Sequence, residues 1–251
     1  MSRYKLILEY DGTNLIGWQE NADGDSVQSL LQDAIFKFCA ERVVVYSAGR
    51  TDAGVHARGM IAHFDLIKET DSNTVMQALN FYLTGKPVSV LNCESVSEDF
   101  HSRFLCTQRN YRYVILNRRS PAVLDRDKVW WIPRNLNLKK MKEAASKLIG
   151  NHDFTSFRAS ECQAKSPIKT LDKIEIKTHH DSFGQYIYID FSARSFLHHQ
   201  VRNIVGTLVE IGLGKSLDID EILNAKNRSA AGPTAPASGL YFINAEYPTN
   251  G

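Results

Sequence analysis

Residues 42–66 read RVVVYSAGRTDAGVHARGMIAHFDL, two strand-like stretches on either side of a turn. The β-branched run at 42–47 favours one strand, and 57–66 predicts a second. Gly49 and Gly54 lie at the two ends of the turn, and glycine lets a chain bend tightly and approach another group closely. We therefore take this pair of strands, joined by a glycine-bounded turn, as the centre from which to read the fold.

The flanking sequence predicts a complete α/β unit around this pair. Alternating residues over Arg3–Tyr10 are typical of a strand. Apolar residues at spacings of three and four predict a helix over Ser26–Ala40, with Ser26 as its N-cap. A second helix over Asp71–Leu83 and a strand over Val88–Val96 follow. The predicted order is β-α-β-β-α-β, which is typical of a ferredoxin-like unit.

The second half of the chain repeats this order of elements. We predict, in chain order, a strand at Asn110–Asn117, a helix at Leu138–Ile149, strands at Leu171–Thr178 and Gln185–Ala193, a helix at Phe196–Ile211, a short helix at Ile219–Ala225 and a strand at Leu240–Tyr247. The predicted fold class is α+β, two tandem ferredoxin-like units with mainly antiparallel sheets. We place the subdomain boundary between residues 105 and 106, so that the second subdomain spans 106–251.

The composition restricts the class of protein. The 251 residues are 43% hydrophobic and 23% charged, which is ordinary for a globular protein. The N-terminal residues show no secretory signal, and no apolar stretch is long enough to span a bilayer. Four scattered cysteines without a C-x-x-C pair argue against a disulfide framework or a zinc cage. We expect a cytoplasmic protein with reduced thiols and no membrane contact.

Positive charge is concentrated in one segment, although the net charge is only +2. Residues 102–134 hold two acidic residues and eight basic ones, namely Arg103, Arg109, Arg112, Arg118, Arg119, Arg126, Lys128 and Arg134. Such an excess can form a phosphate-binding face. It can equally be a solvated strand edge, where arginine blocks unwanted pairing.

The glycine-bounded turn carries the residues with the clearest chemical potential. If the segment from Arg50 to Asp52 is extended, both side chains point the same way. An aspartate next to a guanidinium suits a nucleophile or a base rather than a proton donor. The alternative is an ordinary surface salt bridge between the two. His56 by itself is more typical of a packed or capping residue than of a catalytic one.

Nine stretches of this sequence occur in the same order in one known family. They are Tyr10-Asp11-Gly12, Gly17-Trp18-Gln19, Ser26-Val27-Gln28, Gly49 to Ala57, Phe100 to Phe104, Tyr111-Arg112-Tyr113, Asn151 to Phe157 and His198 to Gly206, with Ala237 to Pro248 as a final match. On these motifs the chain resembles the tRNA pseudouridine synthase A family from Tyr4 to Pro248. The resemblance implies the pseudouridine synthase fold, with both units packed around a central RNA-binding cleft.

The resemblance also implies roles for four residues. Asp52 corresponds to the catalytic aspartate, and Arg50 to the partner that orients it and helps to displace the target base. Tyr111 corresponds to the tyrosine that stacks on that base. Arg202 corresponds to an active-site arginine that pairs with the aspartate.

The implied reaction isomerises uridine to pseudouridine at positions 38, 39 and 40 of the tRNA anticodon stem-loop. The resemblance implies a homodimer that binds tRNA across both subunits and needs no metal or cofactor. The absence of a G-x-x-x-x-G-K-[ST] run agrees with a reaction that transfers no phosphate. The pairs His179-His180 and His198-His199 lack the spacing and carboxylate partner of a zinc site. We expect Arg118, Arg119 and Arg126 to contact tRNA phosphates.

Several readings stay open on the residues alone. Asp52 can attack the ribose C1′, attack the base or remove a sugar proton. A non-catalytic RNA-binding module would explain the aromatic and basic residues, but it would not require Asp52. A hydrolase acting on a glycosidic bond would need a second carboxyl group as acid.

Overall fold

The computed structural model describes residues 1–248 and has an α+β fold with mainly antiparallel sheets. The chain forms two compact units, one made of residues 1–109 with the chain from Tyr241 onward, the other of residues 110–240. Up to residue 109 the complete elements are β1 (Ser2–Tyr10), α1 (Val27–Cys39), β2 (Tyr46–Ser47), β3 (His56–Leu66), α2 (Ser72–Tyr82) and β4 (Val88–Val96).

The remaining elements begin with a strand that starts at the unit boundary. They are β5 (Gln108–Asn117), β6 (Trp130–Ile132), α3 (Leu138–Ser146), β7 (Gly150–Asp153), β8 (Ile168–Leu171), β9 (Lys173–Asp181), β10 (Gly184–Ala193), α4 (Gln200–Gly212), α5 (Ile219–Ala225) and β11 (Leu240–Glu246). Short 3₁₀ turns lie at Thr155–Phe157, Arg228–Ala230 and Ala237–Gly239. None of the helices within residues 1–248 has the length and apolarity needed to cross a membrane.

The sheet of the first unit is built around β1 and β3. β1 pairs antiparallel with both β3 and β4, and β2 pairs antiparallel with β3. Alternate side chains of β1 are buried to 3% exposure or less, namely Tyr4, Leu6, Leu8 and Tyr10. The opposite face of β1 carries Arg3 and Lys5, which pair with Asp65 and Glu94 at 2.7 and 2.6 Å. One face of this sheet therefore forms the core, and the other is polar.

The helices of the first unit begin where their capping residues predict. Ser26 Oγ accepts the Ser29 N–H at 3.0 Å, and Asp71 Oδ1 accepts the Thr74 N–H at 3.0 Å. Each cap satisfies an N–H group that the first turn of a helix leaves without an intrahelical partner. The observed bounds of α1 and α2 agree with the predicted ones to within one residue at each end.

The strand predicted at 42–47 is wrong over most of its length, because only β2 forms there. The backbone of Val45 is bonded to side chains of α1 instead of to a strand. Gln28 Nε2 donates to the Val45 carbonyl at 3.0 Å, and the Val45 N–H donates to Gln32 Oε1 at 3.3 Å. Two glutamines thus take the place of a neighbouring strand.

The last strand belongs to the first unit, although the sequence analysis grouped it with the second. β11 runs parallel to β3, with Tyr241 opposite His56 and Phe242 opposite Ala57. The approach is close, because a Cβ on Gly59 would lie 2.5 Å from the Ile243 carbonyl oxygen. The local pattern of residues in β11 does not show which distant strand it pairs with, so the sequence analysis could not predict this pairing.

The second unit contains β5, β10 and β9 as adjacent strands, with β9 and β10 antiparallel and β6 parallel to β5. β7 and β8 form a separate two-stranded antiparallel sheet. The short strands β6, β7 and β8 were not predicted. Helix α3 ends at Ser146, earlier than the predicted Ile149.

Helix α4 begins at Gln200, four residues later than predicted. His199 has a φ of +62°, which lies in the left-handed region and cannot belong to a right-handed helix. The Gln200 side chain folds back and accepts the Leu197 N–H at 2.8 Å. Apolar residues keep a helical spacing before Gln200, and the helix was therefore predicted to begin too early, at Phe196.

A buried histidine on the polar face of the first sheet predicts acid sensitivity. His63 is 1% exposed, and its Nδ1 lies 2.8 Å from Ser102 Oγ. Burial, together with smaller effects of His101 and Arg3 and against an opposing effect of Asp65, lowers the pKa of His63 from an ordinary 6.5 to about 4. Between these values the folded state binds fewer protons than the unfolded state, so stability is fully present above pH 6.5 and falls toward pH 4.

We expect His63→Gln to flatten the dependence of unfolding free energy on pH between 6.5 and 4. One pKa unit corresponds to about 1.4 kcal/mol, so the wild type should lose roughly 2–3 kcal/mol through this group. Urea unfolding at several pH values measures the slope. The exposed His179→Gln is the control and should keep the wild-type slope. Equal slopes for the wild type and His63→Gln would contradict the assignment.

Candidate active site

Asp52 occupies the first position of a tight turn between β2 and β3. The Val55 N–H donates to the Asp52 carbonyl at 3.2 Å, and Gly54 has a φ of +79°. This is the pattern of a type II turn, which requires a positive φ at its third residue and therefore favours glycine there. The turn fixes the backbone at Asp52 through this main-chain hydrogen bond.

The residue before Asp52 anchors the loop from inside. Thr51 is 7% exposed, and its Oγ1 lies 2.9 Å from Tyr10 Oη. On either side of it Arg50 is exposed and Asp52 is half-buried. This alternation is the one expected for an extended segment, in which Thr51 points inward and its two neighbours point outward together.

The opening segment of the chain packs directly on this loop. The Trp18 N–H donates to the Thr51 carbonyl at 3.0 Å, and the Gly54 N–H donates to the Leu15 carbonyl at 3.3 Å. A Cβ on Gly17 would lie 2.5 Å from the Thr51 carbonyl oxygen and 2.9 Å from the Asp52 carbonyl carbon. Only glycine fits at such a distance, so the backbone itself forms the contact.

The same segment is tied to the start of α1. The Val27 N–H donates to the Gly17 carbonyl and the Gln28 N–H to the Trp18 carbonyl, each at 3.1 Å. These amides belong to the first turn of a helix, where N–H groups lack intrahelical partners. Helix α1 therefore positions Gly17 and Trp18, and these residues position Thr51.

His56 serves the framework of the loop. It is 2% exposed, and its Nδ1 accepts the Gly12 N–H at 3.0 Å. Asp11 Oδ1 approaches the same nitrogen at 3.2 Å. A nitrogen that accepts an amide proton carries none of its own, so we treat His56 as a hydrogen-bonded packing residue and not as half of an ion pair. This role agrees with the packed or capping residue favoured by the sequence.

Arg109 is a positioning residue that the sequence analysis counted only as a positive charge. Its Nε donates to the Ala48 carbonyl at 2.7 Å, and its Nη2 donates to the Arg103 carbonyl at 3.0 Å. The guanidinium thus joins the entry of the Asp52 loop to the segment before β5. No local motif could have indicated this role, since both acceptors are backbone atoms distant in sequence.

In the second unit, Tyr111 lies on β5 and is 9% exposed. Its ring meets Phe196 edge-on, with 5.1 Å between the ring centroids. Its neighbour Tyr113 is fully buried and donates from Oη to the Pro236 carbonyl at 2.7 Å. Burial raises the pKa of Tyr113 well above its usual value. Tyr113 is therefore a core residue, and Tyr111 is also buried, with only a small part of its surface exposed.

Arg202 lies in the first turn of α4 and is half-buried. Its Nε donates to the Ala235 carbonyl at 2.8 Å, which holds the guanidinium against the loop before β11. The next residue, Asn203, is fully buried; its Nδ2 donates to the Phe157 carbonyl at 2.8 Å and its Oδ1 accepts from Thr234 Oγ1 at 2.6 Å. Asn203 thus fixes the helix from which Arg202 extends.

The three arginines expected at phosphates differ in their surroundings. Arg118 donates from Nε and Nη2 to the carbonyls of Ser120 and Pro121, each at 3.1 Å, and so supports its own loop. Arg119 and Arg126 are exposed, and Arg126 lies 3.4 Å from Asp127. Of the three, Arg119 and Arg126 are the better suited to contact a polyanion.

The four residues singled out for chemistry divide evenly between the units. Arg50 and Asp52 share the loop of the first unit, and Tyr111 and Arg202 lie on β5 and α4 of the second. In each unit, side chain–backbone or backbone–backbone hydrogen bonds hold the elements that carry them.

Comparison with known proteins gives one consistent result. A family model described as tRNA pseudouridine synthase matches residues 144–248. A protein of Rhodospirillum centenum named tRNA pseudouridine synthase A is 53% identical over 98% of this chain and 100% of its own length. Proteins of the same name from Bartonella tribocorum and Paramagnetospirillum magneticum are each 49% identical, over 98% and 100% of this chain and 100% and 97% of their own lengths.

We expect Gly17→Ala to destabilise the protein more than Gly214→Ala. Both glycines have positive φ, +104° and +97°, but nothing lies within 4 Å of a Cβ built on Gly214. Backbone strain should cost each variant roughly 1 kcal/mol, and the clash with Thr51 and Asp52 should bring the loss for Gly17→Ala to roughly 2–4 kcal/mol. Urea unfolding measures both losses. Hydrogen exchange of the peptide covering 49–56 should accelerate only in Gly17→Ala; equal losses and equal exchange would show that the close contact does not matter.

Proposed function

The chain belongs to the tRNA pseudouridine synthase A family and isomerises uridine to pseudouridine in tRNA; from this premise we propose that Asp52 is the group that starts the reaction. Pseudouridine formation breaks the bond from ribose to the base nitrogen, turns the base and rejoins it through C5. One carboxylate can open this sequence by attacking the ribose C1′, by attacking the base or by removing a sugar proton.

The observation that carries this proposal is the way in which Asp52 is held. Its backbone is fixed by the type II turn and by the contact with Gly17, and its side chain is half-buried. A catalytic group must keep its geometry within a fraction of an ångström, and a rigid backbone supports this better than a mobile loop. A surface salt bridge with Arg50 would need no such framework.

Arg50 and Arg202 supply the positive charge of the proposed site. Arg50 lies two residues before Asp52 on the same side of an extended segment, which suits a group that orients the carboxylate and helps to displace the base. Arg202 is oriented through its Nε by the Ala235 carbonyl, and we propose that it pairs with Asp52 during catalysis.

Tyr111 is proposed to stack on the target base. An enzyme that acts on a base within a stem must first flip it out, at a cost of a few kcal/mol. Stacking on an aromatic ring returns roughly 1–3 kcal/mol per base. The edge-on contact with Phe196 holds the Tyr111 ring in one orientation, which suits a ring that stacks on a base.

The finer architecture is part of the same proposal. We propose two tandem ferredoxin-like subdomains around a central RNA-binding cleft, with the catalytic loop in residues 1–105 and Tyr111 and Arg202 completing the site from 106–251. The element order β-α-β-β-α-β of the first unit supports its half of this description. We further propose a cytoplasmic homodimer that acts on uridines 38, 39 and 40 of the anticodon stem-loop. No metal or cofactor enters the proposal.

We expect Asp52→Asn to lower the rate of pseudouridine formation by roughly three orders of magnitude or more while tRNA still binds. Tritium release from tRNA labelled at uridine C5 measures the reaction, since the label leaves only when the base is rejoined there. Asp23→Asn, which removes an exposed carboxylate of the same first unit, is the matched control and should retain full activity. An Asp52→Asn enzyme that releases tritium at the wild-type rate would refute the role given to this carboxylate.

The proposed phosphate contacts predict a change in salt dependence. Arg119→Gln combined with Arg126→Gln should weaken tRNA binding and reduce the slope of log Kd against log salt by roughly 0.7–0.9 for each lost contact. Binding measured between low and high potassium chloride gives the slope. Lys139→Gln, an exposed cation on α3, is the control. An unchanged slope in the double variant would remove both arginines from the binding surface.

A further inference from the structure

Two aromatic side chains of the first unit are more exposed than their type usually is. Phe104 is 70% exposed and Tyr46 is 48% exposed. Phe104 ends the stretch Phe100 to Phe104, for which neither the sequence analysis nor the proposed mechanism provides a role. A contiguous group of exposed aromatic rings, unlike an isolated ring, marks a surface that binds a partner.

These two rings belong to a connected series. Tyr46 stacks on His63 with 5.1 Å between ring centroids and 21° between planes. Tyr46 also contacts His101 at 5.4 Å, and His101 contacts Phe104 at 4.2 Å. Burial lowers the pKa of His101, with Arg3 and Arg103 acting in the same direction, so the ring between the two exposed ones is neutral near pH 7. The series runs from a buried histidine to an exposed phenylalanine.

The surface is rigid before any partner binds. Ser102 Oγ lies 2.8 Å from His63 Nδ1 and donates to the Tyr46 carbonyl at 3.1 Å. The Phe100 carbonyl accepts from Arg3 Nη1 at 2.8 Å, and the Arg103 carbonyl accepts from Arg109 at 3.0 Å. A surface held in this way loses little conformational entropy on binding.

Positive charge accompanies the rings. The exposed guanidinium of Arg103 lies 5.9 Å from the centroid of the Phe104 ring. Rings on which bases can stack, next to a cation that can meet the backbone, are the combination that binds single-stranded nucleic acid.

The surface is continuous with the loop of Asp52. Tyr46 begins β2, and the chain runs from it through Ala48 into the turn that carries Asp52. Arg109 bonds to the carbonyls of Ala48 and Arg103 together, so the loop and the aromatic segment are fixed to each other. The aromatic segment and the entry of the Asp52 loop therefore belong to one hydrogen-bonded framework.

We propose that Phe104 and Tyr46, together with Arg103, form a stacking surface for an unpaired nucleotide of the bound tRNA other than the target uridine. The inference rests on tRNA as the substrate, and not on the role proposed for Asp52. The surface adds affinity by stacking, which tolerates any base because each base presents a π-face.

The test measures binding of a full-length unmodified tRNA transcript, without turnover, by fluorescence anisotropy. Phe104→Leu keeps most of the apolar area but removes the ring, and it should weaken binding about 5- to 100-fold, the equivalent of losing one stacked base. Tyr46→Leu should weaken it in the same direction. Phe104→Trp should bind within about threefold of the wild type, since base stacking requires an aromatic face of either kind.

Two further variants separate stacking from charge and from general surface damage. Phe81→Leu removes an equally exposed ring, 72% against 70%, from α2 of the same unit and should leave binding unchanged. Arg103→Gln should reduce the salt slope by about 0.7–0.9, whereas Phe104→Leu should leave it unchanged. Thermal unfolding of every variant verifies that each is folded.

Wild-type affinity in Phe104→Leu would overturn the proposal, and so would an equal loss in Phe81→Leu. Wild-type tRNA affinity with a changed molecular mass in sedimentation would show that Phe104 contacts a second copy of the chain, which also overturns it. Failure of the wild type itself to bind tRNA would instead count against the proposed function. Loss of activity in Asp52→Asn with unchanged tRNA binding would support the proposed role of Asp52, and it would show that the binding assay reports on the stacking surface independently of catalysis.

Discussion

The structure of the first unit depends on a contact between two backbones that leaves no room for a side chain. Gly17 meets Thr51 and Asp52 so closely that a single added carbon would overlap the loop. Hydrogen bonds from the first turn of α1 fix Gly17 and Trp18, and Trp18 in turn bonds to Thr51. The position of the carboxylate that we propose as catalytic therefore depends on the start of a helix, where backbone hydrogen bonds hold the loop.

This contact suggests what the motifs shared with the family do in this chain. Gly12, Gly17, Gln28 and His56 all belong to motifs shared with the family, and each of them makes a contact with main-chain atoms that supports the framework. Asn203 has the same character beside Arg202. Much of the family signature thus describes a scaffold, and only a few side chains that project from it are left for the reaction.

The sequence predicted correctly those features that depend on interactions between neighbouring residues. The caps Ser26 and Asp71 give the helix starts, and the positive φ of Gly54 agrees with the turn expected between two strands. The sequence did not predict features that depend on contacts between residues distant in the chain. The glutamines of α1 replace most of a predicted strand, a left-handed His199 delays α4, and β11 returns to the first unit. The identity of Asp52 could be predicted from the motif, but the clamp around it and the role of Arg109 could not, because both consist of bonds to main-chain atoms.

The return of β11 to β3 has a consequence for biosynthesis. Ribosomes add roughly 5–20 residues per second, so the 110–240 segment takes on the order of ten seconds to emerge after the rest of the first unit has been made. During that interval the edge of β3 at His56 and Ala57 has no strand to cover it. The exposed edge of β3 can pair with neighbouring chains during this time. The sheet of the first unit is completed only when β11 has left the exit tunnel.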